Sequence, residues 1–248
     1  MTVTNLNRER QNLQDCQGMA IRRGVSRRAL LLTGGAGLAL GMLVASHRRA
    51  LATADAYAVT IRTLQRAYER EMTAYHRYVV YSRQARAERY RGISYLFNAI
   101  ASSELIHAQN FNRVLSRLGV EIEQFQPPEP AVADTKANLI DAAAKELNTI
   151  DAVYPDVLKQ LEVENYRDAI VNATYAWESH KQHRGIIQKI EDYTADHFEE
   201  VARTIDEKAG AYYVCEICGS TVNDVPLDTC PICGLPSTHY RKIEFFLL

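Results

Sequence analysis

Between Ala54 and Lys208 the apolar positions recur at alternating intervals of three and four, the spacing that keeps one helical face turned toward a core. Four such stripes are present. The first runs Ile61, Leu64, Tyr68, Glu71, Tyr75, Tyr78, Ser82, Ala85. The second runs Ile93, Phe97, Ile100, Glu104, His107, Phe111, Val114, Leu118, and Gly119 supplies a stop signal after it. The third joins Leu139, Ala143, Glu146, Ile150, Val153 and Val157, with Pro155 expected to kink it locally. The fourth joins Ala169, Ala173, Ala176, His180, His183, Ile187 and Ile190. Between the second and third, Gln126-Pro127-Pro128-Glu129-Pro130 cannot be helical and suits a long crossover. The pattern predicts a mainly α fold with a four-helix bundle over residues 54–208.

Each stripe is broken near its middle by a residue foreign to an apolar core: Glu71, then Glu104 with His107, then Glu146, then His180 with His183. A buried carboxylate or imidazole costs several kcal/mol unless it is paired or bound to metal. Six of them converging from four helices point to a metal site, because ferritin-like bundles place Glu and Glu-x-x-His ligands in this way. Glu104 and His107, three apart, share a face and can grip one metal or bridge two. Two metals so held can pass two electrons to a bound oxygen species. Glu178 lies two residues from His180, about 200° around the helix, and so faces outward.

A second cluster follows. Cys215-Glu-Ile-Cys218-Gly219 and Cys230-Pro-Ile-Cys233-Gly234 are two knuckles separated by eleven residues. Each Cys-x-x-Cys-Gly turn aims backbone N–H groups at its thiolates, and two such turns close a tetrahedron. The spacing is a strong sign of a metal over residues 211–248. It does not choose between zinc and iron.

Charge divides the chain of 248 residues unevenly, although the net value is only -1. Up to Ala52 there are eight Arg and no Lys against Glu9 and Asp15, while the remainder holds 21 basic and 28 acidic side chains. The acidic body argues against nucleic acid as a partner. Within residues 1–52, Arg22, Arg23, Arg27 and Arg28 precede the uncharged run Ala29 to Ala45, and Ala50-Leu51-Ala52 follows as a small-x-small cleavage pattern. This is the grammar of an export signal. Ser26-Arg27-Arg28-Ala29-Leu30-Leu31 resembles a twin-arginine signal, a route for folded, metal-loaded proteins. The expected location is the periplasm. The alternative is an uncleaved membrane anchor with the body outside the cytoplasm, since seventeen apolar residues are at the short end of a spanning helix. Cys16 would leave with a cleaved signal.

Ala67-Tyr-Glu-Arg-Glu71-Met-Thr-Ala, Ser103-Glu104-Leu-Ile-His107-Ala, and Ala142-Ala-Ala-Lys-Glu146 followed by Val153-Tyr154-Pro155 resemble the helices of the rubrerythrin family. Tyr212-Tyr213-Val214 and Pro231 resemble rubredoxin in the short-loop form that ends those proteins. The resemblance spans about Ala54 to Glu244. It implies a ferritin-like bundle followed by a small rubredoxin-like domain, a binuclear iron (or mixed-metal) site, one iron in the four-cysteine site in preference to zinc, and reduction of hydrogen peroxide. Glu71, Glu104, His107, Glu146 and His183 become the expected catalytic residues, with His180 a further metal ligand. It also implies a homodimer in which the four-cysteine domain of one subunit approaches the bundle of the other, and an electron-donating redox protein or reductase as partner. The sequence departs from the family pattern twice. Thr149 stands where a second third-helix carboxylate is usual, and His180 where a bridging Glu is usual. These departures keep open an iron-binding or electron-carrying protein without peroxidase activity. A structural zinc module on an iron-storage bundle is a further alternative.

Overall fold

The computed structural model of the chain describes residues 55–122, 125–192, 197–200, 202–203 and 210–244. The expected export segment, Cys16 and the cleavage pattern lie outside the described residues. Among the described residues, no helix is long and apolar enough to cross a membrane.

The first two stripes become α1 (Ala58–Ala87) and α2 (Arg91–Arg117), packed along their lengths. Both helices end the same way. Arg89 takes a φ of 71°, its N–H bonds back to the Arg86 carbonyl and that of Tyr90 to Ala85, so the orphan carbonyls of the last turn are satisfied. After α2, Gly119 (φ 79°) and Val120 repeat this with Ser116 and Leu115. The proline-rich crossover then delivers α3 (Thr135–Asn148), whose start is capped by Asp134 accepting from the Ala137 N–H at 2.8 Å. Glu88, at the end of α1, also binds the Thr135 N–H at 2.8 Å and the Thr135 hydroxyl. Glu164 does the same for α1, accepting from the Val59 and Thr60 N–H groups at 2.9 and 2.8 Å.

The third stripe is where sequence and structure differ. A π-helical turn, Thr149–Val153, separates α3 from α4 (Tyr154–Glu162). The stripe expected Ile150 and Val153 in the core. Both are only partly buried, and Tyr154 is the buried residue instead. Glu146 and Tyr154 are eight apart, which at ~100° per residue would place them roughly 80° apart on a regular helix. The wide turn absorbs about one residue, so they face as though seven apart, within ~20° of each other. Pro155 has no N–H to give the Ile150 carbonyl across this turn. That carbonyl instead accepts the indole N–H of Trp177 at 2.9 Å.

The fourth stripe forms α5 (Arg167–Asp192), which packs on α2, α3 and α4, while α1 packs on α3 and α4. Ala169, Ala173, Ala176, His180, His183 and Ile187 are buried; the Ile190 side chain lies outside the described ones. Two apolar clusters fill the bundle. One holds Leu64, Phe111, Leu115, Tyr154, Leu161 and Ala173, the other Tyr78, Phe97, Ile100, Leu139, Ala143 and Ile187. The polar residues of the four stripes lie along the helices between them.

Beyond the bundle, β1 (Tyr213–Cys215), β2 (Thr221–Val222) and β3 (Tyr240–Lys242) form an antiparallel sheet in the order β2-β1-β3. Tyr213 pairs with Val222 on one side and Lys242 on the other. This small sheet carries the first cysteine knuckle on the loop between β1 and β2.

Candidate metal centres

All six polar interruptions of the stripes meet in one place, and all are buried. They form two overlapping groups, Glu71, Glu104, His107 and His180 in one, and Glu104, Glu146, His180 and His183 in the other. Within each group the ligand-type atoms lie within 4.8 Å of one another. Glu104 spans both. Its Oε2 is 2.9 Å from His107 Nδ1 and its Oε1 is 3.3 Å from His183 Nδ1. His180 also faces both ways, with Nδ1 2.7 Å from Glu146 Oε2 and Nε2 3.4 Å from Glu71 Oε1. A carboxylate can bridge two metals through its two oxygens, but a neutral imidazole has one free lone pair and serves one metal.

Charge balance holds this cluster together as it stands. Burial opposes ionisation of Glu71 and Glu146, but the His180 charge, with hydrogen bonds from the histidines, outweighs it. Glu71 is held well below the usual carboxylate range, and Glu146 below it. Burial likewise disfavours a charged His107, yet its hydrogen bonds to Glu104 and Glu71 push it up to about 9. His180 is raised well above the ordinary histidine value by Glu104, Glu146 and Glu71 against the same penalty.

The donor set fits a pair of hard-to-borderline ions. Glu71 Oε2, Glu104 Oε1 and His183 Nδ1 are buried with no well-aligned hydrogen bond, the first approaching His107 Nδ1 at 3.4 Å and the other two each other at 3.3 Å, which is costly for polar atoms and natural for metal ligands. Oxygen-rich carboxylates with imidazoles suit iron or manganese. Two tyrosines fix the carboxylates: Tyr78 donates to Glu146 Oε1 and Tyr154 to Glu71 Oε1, each at 2.5 Å. Burial and the facing carboxylates raise both phenols well above the usual tyrosine value, so they remain donors. The sequence placed Tyr78 on its stripe without this role and put Val153 where Tyr154 belongs. Thr149, at the start of the π turn, is only partly buried. Glu178 lies on the outer side of α5, its Oε1 2.7 Å from Lys181 Nζ, and takes no part in either group.

Cys215, Cys218, Cys230 and Cys233 form the other metal-sized group. Cys215 and Cys233 sulfurs are 3.9 Å apart and those of Cys218 and Cys230 3.5 Å. A tetrahedron with metal–sulfur bonds of ~2.3 Å has edges of ~3.8 Å, so the four thiols surround a site of the right size. Gly219 and Gly234 close the two knuckles at φ 83° and 70°, each donating its N–H to the first cysteine carbonyl at 2.9 Å.

The two centres touch. Ser103 and Ser179 hydroxyls donate to the Gly219 carbonyl at 2.7 and 2.9 Å, and Asn110 Nδ2 donates to the Ile217 carbonyl at 2.8 Å. His107 Nε2 is 3.2 Å from the Cys218 carbonyl, and His183 Nε2 is 3.2 Å from Thr221 Oγ1. A carbonyl only accepts, so His107 Nε2 carries a proton toward Cys218, while Nδ1 faces the carboxylates, donating to Glu104 in the charged ring and offering its lone pair to a metal once that proton is lost. The Thr221 hydroxyl donates to the Gly219 carbonyl at 3.1 Å, which leaves its oxygen to accept from His183 Nε2. Both histidines are thus oriented by the first cysteine knuckle. None of Ser103, Asn110, Ser179 or Thr221 was singled out by sequence reasoning. A signal was present: from Gly92 to Asn112 the sole charged residue is Glu104, and only Gln109 and Asn112 of that stretch are exposed, so most of this part of α2 is covered.

Comparison with known proteins agrees with this geometry. The Rubrerythrin family model matches residues 62–191. Rubrerythrin-2 of Clostridium acetobutylicum is 31% identical over 188 residues, covering 74% of this chain and 96% of that protein. Nigerythrin of Nitratidesulfovibrio vulgaris is 26% identical over 177 residues, 71% of this chain and 83% of it. Among solved structures, fully reduced, all-ferrous nigerythrin superposes with a TM-score of 0.65 at 22% identity, over 74% of this chain and 86% of that one, which shows the shared fold. The chain belongs to the rubrerythrin family, with the family's binuclear iron site in its bundle and a four-cysteine site suited to iron packed beside it.

Proposed function

We propose that this oxidoreductase reduces hydrogen peroxide to water at the bundle site, with electrons delivered through the four-cysteine iron. The observation that carries the reading is the position of His107. On one side its Nδ1 faces Glu104 and Glu71 at 2.9 and 3.4 Å; on the other its Nε2 donates to the carbonyl of Cys218, itself a ligand-type residue of the second site. A path of covalent bonds and one hydrogen bond therefore joins the two centres. Iron bound there supplies the redox chemistry, two electrons and two protons per peroxide giving two waters. The chain's own residues prepare the site for this. The two apolar clusters keep bulk water from either end of it. Tyr78 and Tyr154 hold Glu146 and Glu71 in place and keep their phenol protons next to them. Ser103, Ser179 and Thr221 fix the knuckle that orients the histidines.

The test is peroxide consumption by the anaerobically reduced protein, followed with the red colour of oxidised four-thiolate iron. Colour should return with peroxide in the wild type. Glu104→Ala should keep the red site and lose fast, peroxide-driven colour return. Equal, slow return in both would favour the second reading, an iron-binding or electron-carrying protein. His180 favours that reading, because its single lone pair replaces the bridging oxygens of a carboxylate, as does Thr149.

For location we infer export, from the basic and apolar pattern of residues 1–52. Replacing Arg27 and Arg28 by Lys should trap precursor in the cytoplasm, and mature protein should begin near Thr53. Intact chain beginning at Met1 in washed membranes would instead establish the anchor.

A further inference from the structure

We propose that Tyr240 tunes the four-cysteine site, its hydroxyl donating to the Cys230 sulfur a hydrogen bond that favours the reduced iron. The inference deepens the proposed electron-supplying role of that iron and rests on it for its purpose, while the hydrogen bond itself is independent of peroxide.

The backbone delivers the ring. A short 3-10 turn, Ser237–His239, leads into β3, where Tyr240 stands opposite Cys215 in the antiparallel register. The Glu216 N–H donates to the His239 carbonyl at 2.9 Å and carries the pairing past the first cysteine. The ring therefore lies half-buried against the cluster of Cys215, Cys218 and Cys230, on which Tyr175, Ile217 and Ile232 also pack. From there its hydroxyl reaches Cys230 Sγ at 3.3 Å and Ser220 Oγ at 2.8 Å. Ser220 is buried and anchored, its carbonyl accepting the Cys215 N–H at 2.9 Å. A metal-bound thiolate has no proton to give, so the phenol proton points to the sulfur and the Ser220 hydroxyl donates to the phenol oxygen. Two donors thus stand in series behind one sulfur.

Backbone N–H groups also donate to these sulfurs, that of Cys233 to Cys230 and that of Ser220 to Cys218. Such bonds come with the Cys-x-x-Cys-Gly turn itself. Tyr240 differs in being a side chain, so its donor can be removed without touching either knuckle, and phenylalanine fills the same space. The consequence is electrostatic. Ferric iron in four thiolates carries one net negative charge. On taking one electron from an external one-electron reductant it carries two, with no bond broken and no proton moved. Part of the added charge falls on sulfur, and a donor aimed at sulfur binds the more negative state more tightly. The apolar surroundings of the ring strengthen the effect, since little water is there to compete. The hydroxyl therefore raises the reduction potential and makes the site easier to fill from a weak donor.

The experiment is a dye-mediated redox titration of the iron-loaded full chain, read from its red absorbance with no peroxide present. Tyr240→Phe should keep its iron and colour, while its equilibrium constant for reduction falls about 5- to 10-fold, roughly 40–60 mV for a one-electron couple. The sign separates this from a structural role. A site that is merely loosened admits water, whose own hydrogen bonds to sulfur push the potential up. In a second chain 3-fluorotyrosine, a more acidic phenol and a stronger donor, replaces Tyr240, and the potential should rise. That chain decides the question should Tyr240→Phe fail to hold iron. An unchanged or raised potential in Tyr240→Phe, or an unchanged or lowered one with 3-fluorotyrosine, would overturn the inference. If wild-type protein fails to respond to peroxide, the proposed function falls, and the titration still decides the tuning.

Discussion

The matched glycines of the two knuckles allow the docking contact to be weighed apart from backbone strain. Gly219→Ala and Gly234→Ala both force alanine into a left-handed conformation, φ 83° and 70°, costing about 1–2 kcal/mol each. Their surroundings differ. A methyl group at Gly234 meets nothing within 4 Å, whereas at Gly219 it stands 2.3 Å from His107 Nε2 and 2.8 Å from His107 Cδ2. The knuckle must withdraw by about an ångström to reach ordinary contact, and then the hydrogen bonds from Ser103, Ser179 and His107 are lost together. At about 0.5–1.5 kcal/mol apiece these amount to roughly 2–4 kcal/mol. The docking equilibrium of Gly219→Ala should fall by roughly 30- to 700-fold relative to Gly234→Ala. Stopped-flow absorbance of the reduced proteins after peroxide reads this directly. Both variants should stay red when oxidised, since neither removes a sulfur. Gly219→Ala should show slowed colour return, and Gly234→Ala close to the wild-type rate. Equal rates in the two variants would refute the reasoning, because strain alone would then account for both.

Three further outcomes follow from single contacts. Trp177→Phe leaves the Ile150 carbonyl without its indole donor where Pro155 cannot serve, and should cost about 1–3 kcal/mol by thermal unfolding while lowering bundle iron through the displaced Tyr154. On α5, His183→Ala should reduce the bundle metal content and Glu178→Ala should not, as counted by elemental analysis of variants with unchanged helical signal. Glu88 is lowered below the usual carboxylate value because the Thr135 hydroxyl and N–H and the Gln84 amide outweigh its burial. Its contribution is thus fully present above the unfolded value near ~4.3 and lost as pH falls through the lowered folded one. Glu88→Gln should cost about 1 kcal/mol at neutral pH, with the gap closing in acid on denaturant titration.

The bundle and its chemistry were legible because burial and function use the same periodicity. A carboxylate on a helical stripe must point where its apolar neighbours point, so Glu71, Glu104, His107, Glu146, His180 and His183 could be gathered from spacing alone, and Glu178 set outside. Periodicity assumes a regular helix, and there it failed. The π turn at Thr149–Val153 changes the phase of the stripe there, turning Tyr154 inward and leaving Val153 only partly buried, while Val157 is buried as expected. Pro155 marked the irregularity but not its kind, since a kink and a widened turn both relieve the missing N–H. The docking residues were hidden for another reason. Ser103, Asn110, Ser179 and Thr221 are small polar groups with no charge pattern, and their meaning depends on a carbonyl more than a hundred residues away for the first two. The scarcity of charge in α2 from Gly92 to Asn112, where Glu104 stands alone, was the trace they left in the sequence.

The central claim is that this one chain couples a binuclear iron site to a four-cysteine iron site and spends their electrons on peroxide. The most direct test is an anaerobic iron count with visible spectra, taken on the oxidised protein, after reduction, and after a single equivalent of hydrogen peroxide. The account predicts about three irons per chain, a red colour lost on reduction, and its rapid return with peroxide in the wild type. Glu104→Ala should hold only the four-cysteine iron and stay bleached after peroxide. A wild type with stoichiometric zinc in the cysteines, or one left bleached by peroxide, would contradict it.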